Sequence, residues 1–486
     1  MCSVQPLRRV GGSFINRGVT WTASFNQPAR RRAAVVRIAL LVLLLAAAGL
    51  FVWRGPVRAI DGAADFELIY GAGRAYLTGD NPYHAPAVRA ALQAAGTPHA
   101  NRFEPAQLAS LYPPSTLGLV SPIAALSWPA ARGVWTALNV LAAGLLWVGL
   151  VSWLGWFWRD GRTVALAIVL LAWAPLHTGI ALGQTTLLAV ATLPAGLMLI
   201  DRGRPVGGGL VLALGMAFKP QVTGLLLGYL AYRRHWRAVI SCCLAGGLIL
   251  AAAAAALHSA HPGWLGDFIA TLGRFRESPF GDATATGPYR FQMIHLGVLL
   301  HGLTQSRAAV TAGALSFTAG VLAVAGYLAR ARRPRDVAGP APPGPRFTRH
   351  DLPLVALVAA AHLLPGYHRF YDALVLLPAA AWTIHRLHTA LALHTMAANS
   401  TVRSPVNFRI TPAVITGLAL SCFLVPGAAA LHLLAQRGML SEALVQSPLW
   451  RWGVLLHQPW AVVVIVLALL AAIAGPVKAA THRRRV

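Results

Sequence analysis

Acids are scarce in this chain. It has 14 Asp and Glu among 486 residues, against 41 Lys and Arg, for a formal net charge of +27. Only 11% of residues are charged and 56% are hydrophobic, at a mean hydropathy of +0.59, which leaves too little polar surface for a water-soluble globule. Lysine is almost missing as well, with Lys219 and Lys478 as the two in the chain. The four cysteines, Cys2, Cys242, Cys243 and Cys422, include an adjacent pair inside an apolar run and have the spacing of neither a zinc site nor a disulfide framework. HExxH, P-loop and nucleophile-elbow patterns do not occur, and no internal repeat of the kind many transporters carry is evident.

What the chain does have is apolar length. A bilayer core of about 30 Å takes about 20 helical residues to cross, and segments of that order recur from residue 38 to residue 478, which makes 38–478 one integral domain. Arginines cluster between these segments, as cytoplasmic loops require, so the basic balance does not argue for nucleic acid. Residues 1–37 hold seven arginines and no acid. A cleaved signal peptide is one reading of that start; the length of the basic region and the many later spans favour an uncleaved first helix over 38–53, with a cytoplasmic N-terminus in the cell membrane. Residues 54–132 then form the first external loop. Later spans are expected at 133–154, 163–180, 184–200, 206–218, 221–232, 238–257, 306–328, 351–365, 370–385, 411–434 and 458–478, twelve with the first. The segment 113–129, "PPSTLGLVSPIAALSWP", is expected as an interfacial or re-entrant helix, since a crossing there would invert the later arginine clusters. Residues 334–347 read as a cytoplasmic proline- and glycine-rich linker, and 479–486 as a basic cytoplasmic tail.

The external loops carry the chemistry-bearing residues. In "DFELIYGAGRAYLTGDNPY", 65–83, apolar residues recur at helical spacing, with Asp65 at the N-cap of an amphipathic helix lying on the membrane. Glu67 points to another side of that helix, so the two carboxylates are not expected to act as a pair. A second short helix from Pro86 to about Ala95 completes a lid. Lys219 stands at the mouth of a hairpin of two short spans, where an unpaired charge at mid-membrane depth costs about 2.5–3.5 kcal/mol; either it has an anionic partner far off in sequence, or it snorkels to the interface. In "PGYHRFYDALVLLP", 365–378, Arg369 and Asp372 are expected as a local ion-paired turn, and His368 as a phosphate ligand beside Lys219. Arg290 is a further anion-binding candidate. "DFE" is a poor divalent-metal motif, because nothing nearby completes it.

In order along the chain, D-F-x-x-Y-x-A-x-x-x-L-x-G-x-x-P-Y, Y-P-P, G-Q-x-x-x-L, the glycine pattern ending at Lys219-Pro220, and Y-H-x-x-Y-D together resemble glycosyltransferase family 87. The resemblance spans about 60–385 and implies an all-α GT-C-like polytopic bundle that uses polyprenyl-phosphate mannose or a related lipid-linked pentose. It also implies that Asp65 is the catalytic base of an inverting transfer. On that reading Lys219, His368 and Arg290 hold the donor phosphate, Tyr70, Tyr112 and Gln184 line the sugar or acceptor pocket, and no obligatory metal or other cofactor is needed, because fixed cations serve a monophosphate leaving group. The partners implied are a polyprenyl-phosphate sugar, a glycolipid or polysaccharide acceptor and membrane lipid. An arabinofuranosyltransferase is the near alternative. A transporter or flippase of lipid-linked sugars would place acids and lysines within the central spans, and an inactive structural subunit would tolerate replacement of Asp65.

Overall fold

The computed structural model describes residues 27–331, 351–398 and 410–475. The linker 334–347, the tail 479–486 and most of the basic start 1–37 lie outside the described residues. The chain divides into two compact units, 1–43 and 44–486. The first contributes the start of the helix Gln27–Val52, and everything below concerns the second. Regular structure among the described residues is helical, with one isolated bridge between Met293 and Arg369.

Among the described residues, five helices are long and apolar enough to cross a membrane: Ala34–Asp61, Trp128–Leu154, Trp236–Ala260, Arg307–Ala331 and His457–Ala474. Gly161–Ala172 and Ala174–Leu182, bent by 48° at Trp173, make a sixth if counted as one span. The expected twelve crossings are not matched by helix length. The segments expected at 184–200, 206–218, 221–232 and 351–365 are helices Thr186–Asp201, Pro205–Phe218, Pro220–Tyr232 and Leu352–Ala361. At 10–16 residues and 1.5 Å per residue, they span roughly 15–24 Å. Proline explains the cutting. Pro175, Pro205, Pro220, Pro353 and Pro412 each sit in the first turn of a helix, where a missing N–H costs nothing but the preceding helix cannot run through.

The short helices survive because protein surrounds them. Pro205–Phe218 packs against Thr186–Asp201 and Trp236–Ala260, and Gly209 lets the backbones meet: a Cβ there would stand 2.4 Å from the Ala238 carbonyl oxygen. Outward faces are apolar, as with Leu244 and Leu248 at 69% and 71% exposure, which suits hydrocarbon and not water.

Two antiparallel helices give the bundle its polarity. Pro220–Tyr232 runs from Lys219 to Arg233, and Leu352–Ala361 from Asp351 to His362. Arg233 and Asp351 pair at 2.9 Å at one end, so Lys219 and His362 lie together at the other. Three loops meet at that second end. Ile294 N–H donates to the His368 carbonyl at 3.0 Å, Leu296 N–H to Leu364 at 3.1 Å, and Tyr367 Oη to the Phe280 carbonyl at 3.3 Å.

A smaller core covers this end. Helix Ala64–Thr78 packs on Ala85–Ala94 and Pro114–Ala124, burying Phe66, Ile69, Tyr70 and Ala72. Protein covers the helix on both of those sides. Pro114–Ala124, the segment expected to be re-entrant, has 11 residues. Ser115 and Thr116 hydroxyls donate to the Ala217 carbonyl at 2.9 and 3.0 Å, and Thr116 also to Phe218 at 3.1 Å, satisfying carbonyls that Pro220 leaves open at the end of Pro205–Phe218.

Candidate active site

Asp65 does not cap its helix. The helix begins at Ala64, and Ala63 before it is left-handed at φ 59°, ψ 34°, with no side-chain cap bond. A non-glycine residue in that region is strained, and here the Ala63 N–H reaches the Ala181 carbonyl at 2.8 Å. That bond fixes the start of the helix against the end of Ala174–Leu182. Phe66, next to Asp65, stacks between Trp128 and Trp135 at 5.8 and 4.7 Å between centroids.

The facing wall is "GQTT", 183–186. Gly183 ends the preceding helix at φ +74°, and a Cβ would stand 2.4 Å from Phe66 Cβ. Only glycine meets both demands. Trp135 Nε1 donates to the Gly183 carbonyl at 2.8 Å, and the turn delivers Gln184 to Asp65. The Gln184 amide donates to one Asp65 carboxylate oxygen, while the Gln184 carbonyl accepts from Tyr112 Oη at 3.3 Å. The other Asp65 oxygen has no hydrogen-bond partner among the described residues. Asp65 keeps partial exposure, yet the protein around it raises its carboxyl pKa above the ordinary value by desolvation. Arg369, the Gln184 bond and Lys219 oppose that rise. A partly exposed carboxylate whose pKa is raised by desolvation is suited to accept a proton.

Behind this wall is a second acid. Asp372 Oδ1 accepts from Lys219 Nζ and from Thr186 Oγ1 at 2.8 Å; Oδ2 meets His368 Nδ1 and accepts from the Arg369 N–H, each at 3.2 Å. Lys219 Nζ also donates to Thr186 at 2.7 Å and lies 5.2 Å from the Tyr371 ring centroid. Lys219 thus has the distant anionic partner its depth demands, 153 residues on, and is no snorkelling residue. The expected Arg369–Asp372 ion pair does not form. The turn gives Asp372 the Arg369 backbone, while the guanidinium points away to Tyr367 Oη, Gln292 Oε1 at 3.3 Å and the Phe280 carbonyl at 3.1 Å.

The sequence-derived residues therefore separate. Asp65, Gln184 and Tyr112 form one hydrogen-bonded chain, and Lys219 and His368 are joined through Asp372. Arg290 is engaged elsewhere: its Nη2 donates to the Arg451 carbonyl at 3.1 Å and its guanidinium stacks 4.6 Å from Trp452, facing away because the 449–454 turn supplies both partners. Tyr70 is buried on the far side of its helix, its hydroxyl donating to the Leu126 carbonyl at 2.9 Å, so it is packed away from Gln184. Glu67 is fully buried and binds His99 through Nδ1 at 2.8 Å and N–H at 2.9 Å, which ties the Ala85–Ala94 lid down and takes Glu67 out of competition with Asp65.

Thr186 and Asp372 went unrecognised as site residues in the sequence. A signal was available for each: Thr186 follows Gln184 within the same quoted motif, and Asp372 is an acid inside an apolar run of an acid-poor chain, where an ionisable group is functional by default. His295, buried beside His368, has its pKa lowered to about 3, chiefly by desolvation, so it is neutral. No cluster of metal-ligating side chains occurs among the described residues.

A partly exposed acid, an amide and a phenol bonded in series, and a lysine paired to a second acid nearby make up the candidate site. Residues 111–341 match the model of glycosyltransferase family 87, which indicates a glycosyltransferase domain over that segment. The matched segment includes Tyr112, Gln184, Lys219 and Arg290, and stops short of Asp65 on one side and His368 on the other. No curated protein and no solved structure gives a significant match.

Proposed function

We propose that the protein is an inverting glycosyltransferase that moves a mannosyl residue from a polyprenyl-phosphate donor to a lipid-linked or cell-envelope glycan on the outer face of the membrane. The observation that carries this reading is the state of Asp65: one oxygen is held by Gln184, the other is unpartnered, and the carboxyl pKa is raised by its surroundings. In the reaction the acceptor hydroxyl oxygen attacks the anomeric carbon and the bond from that carbon to the phosphate oxygen breaks, its electron pair leaving with the phosphate. The hydroxyl proton passes to Asp65. Gln184 holds the carboxylate in line and, with Tyr112, borders the sugar. The donor phosphate meets the basic wall formed by the 366–372 turn and the Lys219 hairpin. A monophosphate leaving group is served by fixed cations, so transfer is expected to persist in a metal chelator.

The test supplies membranes with radiolabelled polyprenyl-phosphate mannose and compares wild type with Asp65→Asn. Loss of about 10²–10⁴-fold is the general-base expectation. Transfer that survives the substitution removes Asp65 as the base, and transfer only from the corresponding arabinose lipid replaces the hexose with a pentose.

A further inference from the structure

Which cation meets the leaving phosphate turns on how each charge is balanced and how far it is exposed. An ammonium has three donors. Those of Lys219 face the Asp372 carboxylate, the Thr186 hydroxyl and the Tyr371 ring, and the side chain is 10% exposed. Its charge is matched by Asp372 at contact distance. A phosphate oxygen approaching Lys219 has to displace a buried carboxylate that holds three other donors. Arg290 is committed to the Arg451 carbonyl and Trp452. Neither cation is placed to respond to charge that develops during the reaction.

Arg369 differs from Lys219 in charge balance and from the buried Arg290 in exposure. Its three hydrogen-bond partners, Tyr367 Oη, Gln292 Oε1 and the Phe280 carbonyl, are all neutral. No carboxylate lies within ion-pair distance of it among the described residues, and it keeps partial exposure. The partners come from the turn itself and from the 280–292 loop, so the guanidinium is fixed in direction although its charge is unmatched. Its field reaches Asp65 more strongly than that of Lys219. A guanidinium held in direction by neutral partners and without a carboxylate partner is the arrangement that favours negative charge forming on a phosphate.

We infer that Arg369 is the catalytic residue that binds and stabilises the departing phosphate, whereas Lys219, Asp372, His368 and Thr186 form a charge-balanced frame that positions its turn. This rests on the proposed transfer from a lipid phosphate. The donor's carbon–oxygen bond breaks toward a phosphate that gains one negative charge, and the Arg369 fork lies where that charge accumulates.

The experiment uses the full-length enzyme in lipid nanodiscs with polyprenyl-phosphate mannose, and polyprenyl phosphate as product inhibitor beside uncharged polyprenol. Arg369→Gln is expected to lower kcat by about 10²–10³-fold and to weaken inhibition by polyprenyl phosphate, with polyprenol inhibition and acceptor KM unchanged. Arg369→Lys keeps the charge without the fork and is expected to recover part of both. Arg369→Ala is expected to regain turnover on addition of guanidinium, a response that a purely structural arginine does not give. The inference is overturned if Arg369→Gln keeps phosphate inhibition and kcat within about threefold of wild type, or if Arg369→Lys and guanidinium both restore nothing. Asp65→Asn is run in parallel: survival of transfer there sinks the base assignment, whereas its loss together with phosphate inhibition indifferent to Arg369 sinks only this inference.

Discussion

The Lys219–Asp372 pair makes an asymmetric prediction about stability. Both side chains are buried, at 10% and 3% exposure. Asp372→Asn removes the anion from a lysine whose other contacts are one hydroxyl and one ring face, leaving an uncompensated buried charge that costs about 3–5 kcal/mol. Lys219→Met is gentler. It leaves Asp372 with the Thr186 hydroxyl, His368 and the Arg369 N–H, and loss of one bond to a charged group costs about 1.5–3 kcal/mol. The double variant removes both charges, so the single losses should fail to add by about 0.5–3 kcal/mol. Unfolding of the four proteins in mixed micelles, followed by helix loss against denaturant, measures the cycle. Additivity within about 0.5 kcal/mol, or Lys219→Met at least as damaging as Asp372→Asn, would refute the account of Lys219 as a frame residue held by Asp372.

Other perturbations separate the rest of the site. Activity should fall on acidification through a pKa lying above the ordinary carboxylate range, because Asp65 is a base only when ionised and desolvation raises it. Gln184→Leu removes a bond that lowers that pKa, so the acid limb of the kcat profile should move to higher pH; an unmoved limb means that the limb does not report Asp65. Asp65→Asn should leave the unfolding midpoint equal or higher, since a partly desolvated charge is exchanged for a neutral amide; a large loss would return Asp65 to a structural role. Gly183→Ala should destabilise by more than about 1 kcal/mol, from positive φ and the 2.4 Å approach to Phe66, and should reduce transfer by displacing Gln184. Glu67→Gln should loosen the His99 contact, seen as faster proteolysis within 85–104, while turnover at saturating donor stays within severalfold of wild type.

How much of this was legible in the sequence depended on the range of the interaction. Composition and apolar runs identified a helical membrane protein, because burial in lipid acts on every residue of a span. The Ala85–Ala94 helix was readable from its apolar spacing, and Lys219 as a charge needing a partner from its depth. The number of crossings was not readable, since hydropathy does not register that Thr186–Asp201, Pro205–Phe218 and Pro220–Tyr232 are short helices covered by their neighbours. The Asp65 cap failed for a local reason. An aspartate heading an apolar repeat matches the capping pattern, but the left-handed Ala63, fixed by its bond to Ala181, takes the cap position two residues earlier. The roles of Arg369 and Asp372 were hidden by adjacency: three residues apart, they suggest each other's side chains as partners, whereas Gln292, Phe280, Lys219 and Thr186, which they bind, lie 77–186 residues away.

That exchange of partners bears on how the site stays both stable and reactive. Had Arg369 paired with Asp372, Lys219 would be buried without an anion, and the turn would hold a neutral Arg–Asp unit with nothing to offer a phosphate. With Lys219 supplied from the hairpin, one buried carboxylate balances one buried cation, and the turn can carry a second cation outward at little cost to the fold. Asp65 is then a carboxylate whose pKa Arg369 lowers without a contact ion pair between them. A direct Asp65–Arg369 salt bridge would hold the base's pKa low and occupy the cation. In the proposed transfer the sugar lies between them, with proton loss on one side and phosphate departure on the other. Bringing the two charges together, for example by Asp65→Glu, should therefore impair transfer although it retains the carboxylate. If Asp65→Glu turns over at the wild-type rate, that spacing is not what the reaction requires.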